Sequence, residues 1–237
     1  MTWSIVARDP DGAFGVAVAS RFFAVGALCP HARSGVGALS TQALVNPGYG
    51  PRGLDLIERG VSAAEAVARL VAEDEGREHR QLHLIDRAGR AAAHTGALCI
   101  DWCGHRAHDG FSVAGNMLAG PDVLDQTARA YQAQAGRPLA ERLLAAMAAG
   151  DAAGGDKRGK QAAALLVYTT ESYPLLDLRV DDHPEPVAEL QRLYEVSLER
   201  FQPFLACLPS AARPAGITDR AAIEAEVERF QSSRRRR

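Results

Sequence analysis

The sequence predicts an α+β protein in which helices cover antiparallel sheets, and three observations support this. A tight hairpin opens the chain. Helices come in groups and do not alternate singly with strands, which argues against a βαβ order. The unbroken apolar run Ala162–Tyr168 has the character of a strand buried on both faces.

Each element has its own signal. Ile5-Val6-Ala7-Arg8 leads into Asp9-Pro10-Asp11-Gly12, where Pro presets φ and Gly accepts positive φ, and a second strand follows over 14–20. A third strand is expected over 36–42. Leu54, Ile57, Val61, Ala64, Val67 and Leu70 then recur at helical steps, with Ser62 as N-cap of the second helix. Residues 81–86 and 91–95 flank Arg87-Ala88-Gly89-Arg90 as another hairpin, and 111–118 is a strand. Helices follow over 121–134 and 138–149, then the run from Ala162, a short strand over 178–180 and a helix over 186–205. Leu190, Leu193, Tyr194 and Leu198 form a stripe on that last helix. The stripe belongs to the core or, as the alternative, to a homodimer surface. The folded domain is expected to span 1–208. The extension 209–237 carries a short helix capped by Thr218, with Ile223, Val227 and Phe230 as its stripe, and a frayed, solvated Ser-Ser-Arg-Arg-Arg-Arg tail.

Composition narrows the function. A chain of 237 residues buries roughly 70–75% of its unfolded surface and needs no metal or disulfide staple. A net charge of −2 lacks the basic excess of nucleic-acid proteins. No uncharged apolar run approaches the ~20 residues of a membrane helix. No basic and apolar leader opens the chain, so the four cysteines are expected as thiols in a cytoplasmic protein. Cys99, Cys103, His105 and His108 are zinc-type ligands, but their spacing fits no common zinc site, so no metal is expected. His79, His83 and His94 are expected as satisfied structural histidines. The segment 154–161 approaches a P-loop. However, Gln161 replaces the magnesium-binding hydroxyl, and the order is helix then strand, so no nucleotide cofactor is expected.

Two segments resemble the Ntn-hydrolase superfamily, proteasome β-subunits in particular. One is Thr2-Trp3-Ser4-Ile5-Val6-Ala7 with its turn and Gly15-Val16-Ala17-Val18-Ala19-Ser20-Arg21. The other is Asp156-Lys157-Arg158-Gly159-Lys160-Gln161 running into the apolar strand. The stretch Val16 to Gly26, with Gly115-Asn116-Met117-Leu118 and Gly154-Gly155-Asp156-Lys157-Arg158-Gly159, is more specifically similar to the domain-of-unknown-function 1028 family, over about residues 1–187. The resemblance implies a four-layer αββα sandwich and a cofactor-free hydrolase acting on an amide-type C–N bond in a small molecule or peptide-like substrate.

In that chemistry the first strand starts with a hydroxyl nucleophile whose own α-amine is the base. Thr2 fits once Met1 is removed, and Ser4 lies two residues on, on the same side of the strand. Asn116 is a candidate oxyanion donor and Asp156 a candidate for positioning the amine. Arg158, Arg33 and Asn46 are candidates for substrate contact, although Asn46-Pro47-Gly48 is also strong turn chemistry. Two departures stand out. Proteasome subunits carry an acidic residue near the end of the second strand, where this chain has Ala19-Ser20-Arg21. The nearest basic residue for the next strand is Arg33. The alternative function is a non-catalytic small-molecule-binding protein on the same fold.

Overall fold

The computed structural model describes residues 2–234, and its strands begin where the hairpin is expected. β1 (Thr2–Arg8) and β2 (Phe14–Ser20) pair antiparallel, Thr2 opposite Ser20 and Arg8 opposite Phe14. Asp9 closes the turn: its backbone NH donates to the Ala13 carbonyl and its carboxylate accepts from the Ala13 NH. β3 (Pro30–Arg33) and β4 (Gly37–Ala43) come next. They are followed by α1 (Tyr49–Glu58) and α2 (Ala63–Ala72), with Ser62 capping α2 through the Glu65 NH as expected. β5 (Arg80–Asp86), β6 (Ala91–Thr95), β7 (Gly104–His108) and β8 (Phe111–Asn116) precede α3 (Asp122–Ala133) and α4 (Leu139–Ala152). β9 (Ala162–Tyr168) and β10 (Leu176–Val180) complete the strands.

The ten strands among the described residues make two antiparallel sheets, ordered β10-β9-β2-β1-β8-β7 and β3-β4-β5-β6. Helices α3 and α4 lie on the outer face of the larger sheet and α1 and α2 on that of the smaller, while β1 faces β4 and β5 faces β8 between them. This is the expected four-layer αββα sandwich. Strand parity explains the layers. Leu82 and Leu84 point outward into a cluster with Leu54, Ile57, Val67 and Leu70 of the helices. Ile85 points inward to Val6, Phe14, Val16 and Ala38. Trp3 points outward and is fully enclosed. A Cβ on Gly150 of α4 would lie 2.7 Å from its Nε1, so α4 can approach β1 this closely only with glycine there.

The chain divides into two compact units, Met1–Leu190 and Gln191–Arg237, and the division falls inside α5 (Pro186–Glu199). The expected single helix over 186–205 is two: α6 (Phe201–Leu205) follows after Arg200. Leu190, Tyr194 and Leu198 are buried, and Leu193 is half-buried. In the second unit α7 (Arg220–Arg234) is capped by Asp219, whose carboxylate accepts the Ala222 NH, and not by Thr218. Arg200 forms a two-point ion pair with Glu224. Ser232, Ser233 and Arg234 are helical and not frayed, and the expected fraying of Arg235, Arg236 and Arg237 lies outside the described residues. No described helix is long and apolar enough to cross a membrane.

Candidate functional site

The strand termini at one end of the sandwich bring most of the candidates together. Thr2 begins β1 between Ser20 of β2 and Asn116 of β8, its register partners, and its hydroxyl donates to Ser20 Oγ at 3.1 Å. Its side chain is on the inner face and almost wholly buried. Asp156 is close by. Its carboxylate accepts the Arg21 NH at 3.0 Å, one residue past Thr2's partner, while Asp156 itself bridges to Leu118, two residues past Asn116. The same carboxylate accepts the Arg158 NH at 2.8 Å and faces the Arg158 guanidinium at 3.3 Å. The loop 154–161 therefore straps the ends of β2 and β8 around the start of β1, and Asp156 is both the clasp of its own turn and part of the site's frame.

Behind Thr2 the space between the sheets holds a buried polar network. Ser4 Oγ donates to Gln42 Oε1 at 2.6 Å and lies 2.8 Å from His83 Nε2; His83 Nδ1 lies 3.2 Å from Ser112 Oγ. Because the Ser4 hydroxyl is given to Gln42, the ring donates from Nε2 and accepts Ser112 at Nδ1. The imidazole thus points its proton at Ser4, the opposite of what a general base does. Ser4 and His83 are fully enclosed, and burial, reinforced by His105, pushes the His83 imidazole down to about 3. Gln81 is the hub of the rest of the network. Its Oε1 accepts Gln42 Nε2 at 2.7 Å and Asn116 Nδ2 at 3.0 Å, and its Nε2 reaches the carbonyls of Gly104 at 3.0 Å and Gly115 at 2.9 Å.

The neutral His83 gives a pH-dependent prediction. Its folded pKa of about 3 lies below the ordinary 6.5, so the unfolded chain binds the extra proton between those values. The ring's contribution to stability is whole above pH 6.5 and is lost as pH falls toward 3, by about 1.4 kcal/mol per pH unit. Denaturant unfolding of His83→Gln from pH 7 to 4 should show a flatter acid limb than wild type. Identical slopes would contradict the burial of a neutral ring.

A cleft of about 230 Å³ opens at this end of the sandwich. Ala43 and Leu44, leaving β4, form one wall, and Leu98, Cys99 and Ile100 form the other. Asn116, Met117 and His79 complete it. Asn116 joins the cleft to Thr2, since it lines the first and pairs with the second.

Other candidates lie elsewhere. Arg33 is at the opposite end of the smaller sheet, paired with Gly37, and its guanidinium meets Asp55 at 3.0 Å and Glu58 at 2.7 Å. Asn46 spends both ends of its amide on structure, donating to Asp74 and accepting the Gly48 NH. Burial pulls the Asp74 carboxyl upward, but hydrogen bonds from Tyr49, Asn46, Gly76 and Arg80 outweigh it and hold the group well below the usual carboxylate range. The zinc-type side chains have separate partners: Cys103 Sγ faces the Cys99 carbonyl, His105 bonds Thr95, and His108 stacks on Phe111. Among the described residues no three His, Cys, Asp or Glu side chains converge as a metal site.

The chain is thus an αββα sandwich in which a threonine starts a central strand. The chain belongs to the family of unknown function DUF1028, whose model matches residues 2–190. The crystal structure of protein SPO2555 from Silicibacter pomeroyi, from the same family, is 32% identical with a TM-score of 0.85 and covers 92% of this chain and 96% of its own. Anbu, an ancestral β-subunit from Yersinia bercovieri, is 13% identical with a TM-score of 0.40, covering 88% of this chain and 98% of its own. No curated protein matches.

Proposed function

We propose that the protein is a cofactor-free hydrolase of amide-type C–N bonds in small molecules or peptide-like compounds, with Thr2 as nucleophile after removal of Met1. One juxtaposition carries this proposal: Thr2 is the register partner of Asn116, and Asn116 lines the cleft. Thr2 Oγ1 would attack the substrate carbonyl while the freed α-amine accepts its proton. The resulting oxyanion would be met by backbone amides and Asn116 Nδ2, one of whose two N–H groups is engaged by Gln81. Collapse would expel the amine with the proton and leave an ester on Thr2. Water would then release the carboxylic acid. Asp156 would act indirectly by holding Arg21 and the loop around the strand's start. Ser4, sealed behind Thr2 with its proton given to Gln42, serves the network and not the attack.

One observation favours the binding-protein alternative. No acidic residue ends β2, and Arg33 is held by α1 at the far end, so the acid–base set of proteasome subunits is incomplete. The two are separated by following amine release from a broad amide panel with protein whose mass shows Met1 removed. Turnover is expected; its absence across the panel would favour the binding protein.

A further inference from the structure

The chemistry of the cleft walls identifies what one arm of the substrate is. Leu44, Leu98 and Ile100 leave 60%, 58% and 58% of their surface in solvent, grouped around a single opening. Among the described residues no Lys, Arg, Asp or Glu lines the cleft. The walls are aliphatic, with Asn116 and His79 as the polar groups capable of fixing an orientation. Backbone hydrogen bonds tie the walls into one frame, from Leu44 NH to the His79 carbonyl at 3.1 Å, Leu98 NH to Glu78 at 2.8 Å and Met117 NH to Ile100 at 2.8 Å. Two wall residues, Ala43 (φ 69°) and Met117 (φ 52°), hold left-handed conformations that cost a non-glycine residue energy and that recur at ligand sites.

Its size is also informative. At about 230 Å³ it is smaller than the roughly 300–1,000 Å³ of sites that engulf a whole drug-sized ligand. It has room for about eight groups of ~30 Å³, the volume share of a water molecule.

We infer that the cleft receives an uncharged aliphatic chain of about six to eight carbons, the acyl arm of an amide whose carbonyl lies at the Asn116 end toward Thr2. This rests on the proposed hydrolase for the carbonyl's position but not for the cleft's occupancy. Straight-chain N-methyl amides, acetyl to decanoyl, are titrated by calorimetry into full-length Thr2→Ala protein, and the same series is offered to wild type for cleavage. Affinity should rise about fourfold per methylene and level off near eight carbons. Leu98→Trp, which fills the cleft from an exposed position, and Ile100→Asp, which places a charge on its wall, should each weaken octanoyl binding at least tenfold. Affinity independent of chain length would overturn the inference, as would octanoyl binding indifferent to both substitutions. Sedimentation showing that a second copy occupies the cleft, with dissociation on Ile100→Asp, would do the same. Chain-length-dependent binding without cleavage would leave the cleft's assignment standing and refute the hydrolase. Cleavage without chain-length dependence would do the reverse.

Discussion

Thr2→Ala should reduce turnover of any amide substrate by about 10⁴-fold or more, the scale of losing a nucleophile. The fold should hardly notice. The Thr2 hydroxyl makes a hydrogen bond to Ser20, and a bond of that kind contributes about 0.5–1.5 kcal/mol. Thr2→Ser restores the oxygen and keeps the amine, so partial activity should return. Steady-state kinetics alongside thermal unfolding separates the two effects. Full activity in Thr2→Ala, or in protein whose mass shows Met1 intact, would remove Thr2 from the mechanism.

Gln81→Leu should give the largest loss of stability, at least about 3 kcal/mol, because it strands several buried groups at once. Gln42 Nε2 and Asn116 Nδ2 lose their shared acceptor, and the Gly104 and Gly115 carbonyls lose a donor. Each unsatisfied buried group costs about 1–3 kcal/mol. At about 2–4 °C per kcal/mol for a chain of this length, the melting temperature should fall by at least about 6 °C. Adding Gln42→Leu removes one of the stranded donors, so the double variant should be less unstable than the sum of the singles. Strict additivity would mean that the two amides do not form one network.

The layers of the sandwich were legible in the sequence because hydrophobic period and turn chemistry agreed. The hairpin around Pro10-Asp11-Gly12, the Ser62 cap and the apolar strand from Ala162 all stand where their residues put them. The polar interior was not legible. Gln81 and His83 alternate with Leu82 and Leu84, which in an isolated strand means water on one side and core on the other. Here a second sheet covers the polar face, and only the tertiary arrangement shows that Gln42, Gln81 and His83 meet. A usable signal was present: β4 repeats the pattern, with Ser40 and Gln42 on one parity and Leu39 on the other. Two strands with matching polar faces can satisfy each other. β3 and β7 went unpredicted because Pro30-His31-Ala32-Arg33 and Gly104-His105-Arg106-Ala107-His108 carry almost no apolar alternation; pairing with β4 and β8 makes them strands.

Family resemblance singles out Thr2, Asn116, Asp156 and Arg158, and these four gather at one end of the sheet. Arg33 is the nearest basic residue in sequence, but β3 runs away from Thr2 and carries it to the opposite end. Leu44, Leu98 and Ile100 carry no signal in the sequence, because isolated exposed aliphatics are ordinary on protein surfaces. Only their grouping around one opening gives them meaning.

The central claim, that Thr2 with a free amine is the attacking residue, is tested most directly by peptide-resolved mass spectrometry after treatment with an amide-directed acylating probe. The account predicts an N-terminal peptide that begins at Thr2 and carries the acyl group on its side-chain oxygen, with no adduct in Thr2→Ala. An adduct on Ser4 or elsewhere in the chain, or labelling of protein that retains Met1, would contradict it.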